Sequence, residues 1–113
     1  MPVRYTPKPI KAEAHDVTAA RALEVWYTNT SLRPILVIVS LVHTTTAAGQ
    51  FCLAQLSLAA GGVSWSGWFT SHGAGEIYGT VETLVAAGGT YRIDTNITAP
   101  AAIEINRWIE VAL

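Results

Sequence analysis

The stretch Tyr27–Val42, YTNTSLRPILVIVSLV, decides the fold. A polar segment containing Asn29, Thr30, Ser31, Arg33 and Pro34 runs into Ile35–Val42, where only Ser40 is polar. A membrane-spanning helix needs about 20 apolar residues, so this run is too short to insert. Branching at Cβ favours strands over helices for Val and Ile. The run therefore reads as a β-strand with apolar side chains on both faces. Ile35, Val37, Val39 and Leu41 share one face, and Leu36, Ile38 and Val42 share the other. One face suits a core. The other needs a cover, which another sheet edge, a loop or another subunit could supply.

Outward from this strand the chain reads as short strands divided by small-residue turns. Leu23, Val25 and Tyr27 alternate with Glu24 and Thr28. Phe51, Leu53 and Leu56 fall in the next apolar stretch. Val63, Trp65 and Phe69 share a parity that places Trp68 on the opposite face. Ile77, Val81 and Val85 mark a further strand. Tyr91, Ile93 and Ile97 alternate with Arg92, Asp94 and Asn96. Ile103, Ile105, Ile109, Val111 and Leu113 form a last strand, with Glu104, Asn106 and Glu110 on its other side. Turns "AAGQ" at 47–50, "AAGG" at 59–62 and "AAGG" at 86–89 offer glycines suited to positive φ. The only helical expectation is a single turn in DVTAARAL, capped by Asp16. Evenly spaced strands without helices predict an all-β chain, a single antiparallel β-sandwich of jelly-roll-like type over residues 16–113. Residues 1–15 contain three of the five prolines and read as an extended N-terminal arm.

Composition narrows the function. The chain is 50% apolar and 13% charged, with a net charge of −1. That is too apolar for disorder, and without a basic field nucleic-acid binding is not expected. From Pro34 to Gly75 there is no Asp, Glu, Lys or Arg, which suits a sandwich interior with neutral turns or, more sharply, a subunit interface, the favoured reading, or a glycan-facing surface. Cys52 is the single cysteine, so no intrachain disulfide forms, and it is expected in the core. The N-terminal segment lacks the apolar stretch of a secretory signal.

Catalytic chemistry finds little support. Ser66, Ser71, His15, His43, His72, Asp16 and Asp94 supply triad ingredients, but no Gly-x-Ser-x-Gly elbow holds them. The three histidines have no metal-ligand spacing and read as surface or turn residues. Glu76 and Glu82 are the acidic pair nearest to aromatics, but so small a sandwich leaves little room for a deep cleft. No catalytic, cofactor or metal site is expected. The aromatic stretch Val63–Gly73 is the binding candidate: Trp68, with Ser71 and His72 in the following loop, forms a surface that a host polysaccharide could contact.

The segment Asp16–Ser40 resembles one found in bacteriophage tail-fibre and related virion proteins. The residues that carry the resemblance are Asp16, Val17, Thr18, Ala19, Arg21, Tyr27, Thr28, Asn29, Thr30, Arg33 and Pro34. The later AAGGTYRI and NRWIEV are similar to the family's turn and last strand. Ala20 and Leu32 depart from it, Leu32 standing where the family has Gly. The resemblance implies a trimeric β-sandwich without enzyme activity, located in the phage particle. Either it is a tail-fibre knob that contacts the host surface, or it is a capsid decoration or head-fibre protein. A carbohydrate-binding module or envelope-degrading enzyme is a remote alternative. In this reading Leu36, Ile38, Val42 and Arg33 meet neighbouring subunits. Arg4, Tyr5, Lys8, Ile10 and Lys11 of the arm dock on other virion proteins, and Asp16 and Arg21 tie the start of the module to its body.

Overall fold

The Ile35 run is a strand whose alternate side chains meet different surroundings, and the rest of the fold is organised around it. The computed structural model describes residues 12–113, with the backbone alone for 65–69. Eight strands are present among the described residues: β1 (Glu13–Asp16), β2 (Tyr27–Thr28), β3 (Ile35–Thr45), β4 (Phe51–Leu58), β5 (Val63–Thr70), β6 (Gly75–Val85), β7 (Thr90–Ile97) and β8 (Ala102–Ala112). They form two four-stranded sheets ordered β1-β8-β3-β6 and β2-β7-β4-β5. Every strand pairing among the described residues is antiparallel, and the pairs are nested: first with last, second with seventh, third with sixth, fourth with fifth. A long hairpin rolled into two facing sheets gives this order, and it is the jelly roll.

The core lies between the sheets. Ile35, Val37, Val39 and Leu41 of β3, with Val81 and Val85 of the adjacent β6, face Cys52, Ala54 and Leu56 of β4 and Ile93 of β7. In β4 the small residues Cys52 and Ala54 point inward, while Phe51 and Leu53 are only half-buried on the other face. Gly49, Gly61 and Gly88 in the three Ala-Ala-Gly turns have φ of 81°, 106° and 76°, the conformation for which glycine was expected there.

Four readings of the sequence change. First, β8 carries one extra residue, Asn106, because Ser40 pairs with Arg107 while Leu41 pairs with Ile105. This β-bulge reverses the alternation. Ile103 and Ile105 face the core, but beyond the bulge Trp108 and Glu110 take the inner side, and Ile109 and Val111 turn outward. Second, Leu23 to Trp26 is not strand. Glu24 sits at φ 63°, and its carboxylate accepts hydrogen bonds from the Thr95 backbone N–H at 2.7 Å and the Thr95 hydroxyl at 2.8 Å. Third, Glu13–His15, assigned to the arm, pair with Ala112, Val111 and Glu110, so the sheet begins before Asp16. Fourth, the backbone pairing of β5 with β4 shifts by one residue between Ser66 and Phe69, an irregularity that an even strand pattern does not anticipate.

The expected helical turn forms, but Val17 and not Asp16 stands at its N-cap, and that residue makes no side-chain cap bond. Thr18–Ala20 is a single 3-10 turn, and Asp16 Oδ1 accepts from Thr18 N at 3.0 Å and Thr18 Oγ1 at 2.6 Å. Two bonds fasten this segment to β8: Val17 N to Trp108 O, and Trp108 N to Thr18 Oγ1, each 2.9 Å.

Candidate functional site

The outer face of the β1-β8-β3-β6 sheet is the surface that the opening run creates. Register places its side chains in rows. Ala14, Val111, Leu36 and Leu84 form one row, and Asp16, Ile109, Ile38 and Glu82 the next. Leu36, Ile38, Ile109 and Val111 are half-buried by one another, while Leu84 is 56% exposed. Val42, expected with Leu36 and Ile38, stands apart. A polar row of Arg107, Ser40 and Thr80 lies between, and Val42 sits beside Tyr78 and Glu104. The patch therefore gains Ile109 and Val111, which the bulge turns outward, and loses its continuity with Val42. Its border is charged: Arg107 Nε lies 3.4 Å from Asp16 Oδ2, and the hydrogen bonds from Thr18 hold the exposed Asp16 carboxyl below its ordinary range, with help from Arg107.

Behind the patch the inner edge is locked by a polar knot. Glu110 accepts from Arg21 Nε and Nη2 at 3.1 Å each, from Trp108 Nε1 at 3.1 Å and from the Tyr91 hydroxyl. Arg21 also lies 4.6 Å from the centre of the Tyr27 ring, and Tyr27 meets Trp108 edge-on at 5.7 Å. Burial raises the Tyr91 pKa well above its ordinary value, and the bond to Glu110 raises it further. Burial would lower the Arg21 pKa, but Glu110 more than compensates and raises it. Arg21 thus ties the module's start to its body.

Asn29 organises the turn before β3. Its buried side-chain N–H groups donate to the carbonyls of Arg33, Val85 and Ala86 at 2.8, 3.1 and 3.2 Å, and its oxygen accepts from Ser31 N and Ser31 Oγ. This fixes how the chain enters β3. The Arg33 side chain is exposed and makes no ion pair with a described residue. Leu32, beside it, is 96% exposed.

The opposite end is closed by a second polar network. Ser71, expected at a contact surface, is buried. Its hydroxyl donates to Ala47 O at 2.6 Å and accepts from Gln50 N at 3.0 Å, so it holds two loops together. His72 is exposed and lines a shallow cavity of about 390 Å³ with Thr45, Gly73, Glu76 and Ile77. His43 is not a surface or turn residue: it is fully buried on the inner face of β3, and burial lowers its pKa. Trp68 lies in β5, but its side chain falls outside the described residues. So do Arg4, Tyr5, Lys8, Ile10 and Lys11.

Among the described residues no group of three or more His, Cys, Asp or Glu side chains is placed to hold a metal ion. No helix there is long and apolar enough to cross a membrane. Comparison with protein-family models, curated proteins and solved structures found no match.

Proposed function

We propose that this chain is a structural building block of a bacteriophage particle that assembles as a homotrimer through the outer face of its β1-β8-β3-β6 sheet, probing the host surface as a tail-fibre knob. The aliphatic patch of Leu36, Ile38, Leu84, Ile109 and Val111 carries the assembly reading. Four of these are already half-buried, so covering them contributes less than the full 1.5–3 kcal/mol of a large side chain. On the order of 3–5 kcal/mol per subunit is a reasonable sum. Three subunits then supply roughly 9–15 kcal/mol, against a cost of roughly 4–15 kcal/mol for each of the two association steps. The charged and polar border must therefore also fit for the trimer to hold. The resemblance of Asp16–Ser40 to phage virion proteins supports both the number three and the setting.

Light scattering tests the assembly. The expected mass is three times the 12.1 kDa of the chain, and a 12.1 kDa species at micromolar concentration contradicts it. Ile38 faces outward beside Glu82, so Ile38→Lys leaves the jelly roll folded, with unchanged circular dichroism, and yields monomers. Antibody labelling of intact particles then tests the role: density at the tail end supports the knob, density on capsomers assigns the protein to the shell instead, and unlabelled particles overturn the virion reading.

A further inference from the structure

The second sheet presents an outer face of a different character. Its rows, taken from the register of β2, β7, β4 and β5, place Arg92 beside Ser57 and Asp94 beside Gln55. These side chains form one ordered chain. Gln55 Nε2 donates to Ser57 Oγ at 2.9 Å, Ser57 Oγ donates to Asp94 Oδ2 at 3.1 Å, and Arg92 Nε lies 2.6 Å from Asp94 Oδ1. The Arg92 guanidinium is stacked on the Trp26 ring, 4.6 Å from its centre, and Trp26 remains 45% exposed. Trp26 thus leaves part of a large aromatic surface open to water beside a row of fixed, planar polar groups. The Arg92 and Asp94 charges cancel, so the row offers oriented hydrogen-bond donors and acceptors without a net field. Arg92 and Asp94 keep about a third and a quarter of their side-chain surface in solvent, 34% and 26%.

From this geometry we infer that the outer face of the β2-β7-β4-β5 sheet is a carbohydrate site for neutral hexopyranoses, with Trp26 as the stacking platform and Arg92, Asp94 and Gln55 as the hydroxyl-reading groups. A pyranose has an apolar C–H face that lies flat on an indole and equatorial hydroxyls that accept from a guanidinium and donate to a carboxylate. Both groups are held at fixed positions by their mutual contacts, so little side-chain freedom is lost on binding. A neutral sugar matches the compensated pair, whereas a uronic acid would set its carboxylate against Asp94. The inference deepens the proposed function by supplying a receptor class, and it rests on that reading only in taking this face to stay open when the other sheet assembles.

The test is binding of the full-length chain to an array of neutral hexose and uronic-acid oligosaccharides, with subunit mass measured in parallel. Binding to neutral hexose oligosaccharides is expected. Trp26→Ala should weaken it about tenfold, as expected of one lost stacking contact, Trp26→Phe should retain most of it, and Asp94→Asn should weaken it at unchanged mass. Absence of neutral-sugar binding by the wild type, or binding indifferent to Trp26→Ala, overturns the inference. A drop in mass in Trp26→Ala does so too, since it would make this face a protein interface. A monomeric wild type that still binds the array refutes only the assembly.

Discussion

At the scale of single residues, Glu110 and His43 hold the fold in opposite ways. Glu110 is a part-buried carboxylate satisfied by Arg21, Tyr91 and Trp108. Replacing it with Ala strands a part-buried guanidinium together with a buried hydroxyl and indole N–H. Removing one partner of such a pair costs about 3–5 kcal/mol. The urea midpoint of Glu110→Ala should fall accordingly, and Glu110→Gln, which keeps an acceptor, should lose less. His43 is buried in a neutral state, its pKa lowered from 6.5 by burial. The unfolded chain takes up a proton near 6.5 and the folded chain only at lower pH. Between those values the unfolded state holds more protons, so this contribution is complete above 6.5 and is lost as pH falls. Urea midpoints measured on either side of pH 6.5 should therefore drop toward acid, and His43→Leu should flatten that slope.

At the scale of elements, the bulge at Asn106 decides which half of β8 is core. Deleting Asn106 would restore a strict period of two, sending Trp108 and Glu110 outward or forcing the strand out of register. The deletion should give protein without a cooperative unfolding transition. Asn106→Ala keeps the extra residue and loses only the 3.2 Å bond to Ser40 Oγ, so it should cost about 1 kcal/mol or less. The same bulge explains what the sequence conceals. β3 was legible because its pairing is unbroken along both neighbours up to Ser40, and its apolar parity is uniform. Trp108 was not assigned to the core, because a constant alternation from Ile103 places it with the polar residues. β1 was invisible because Glu13-Ala-His-Asp has no apolar pattern of its own and gains its strand conformation from β8. The Leu23–Val25 alternation misled because Glu24 turns the chain into the left-handed region, where its carboxylate replaces a ladder partner. The exposed polar row at Arg92 and Asp94 was read only as the wet side of a strand. What ranks it above other wet faces is Trp26, brought alongside by a turn that periodicity does not describe.

At the scale of the whole molecule, the nested pairing sets both termini at one end, with Glu13 opposite Ala112. The described chain therefore begins beside its own C-terminus, near Leu32 and the turns at 59–62 and 86–89, and any partner of the preceding residues would be held at that end. The two outer faces differ in character, one aliphatic around Ile38 and Ile109, the other polar and set around Trp26. The nesting also has a consequence in time. β8, which leaves the ribosome after the other seven described strands, occupies the middle of its sheet, between β1 and β3. Until it arrives, β1 has no strand to lie against, β3 lacks one of its two neighbours, and Glu110 is not there to receive Arg21. Before β8 emerges, the apolar Ile35–Val42 stretch has only β6 as a neighbour within its sheet. Arrival of β8 finishes the sheet and, in the same event, creates the aliphatic surface on which Ile109 and Val111 lie, so that surface exists only once the last of the eight described strands is in place.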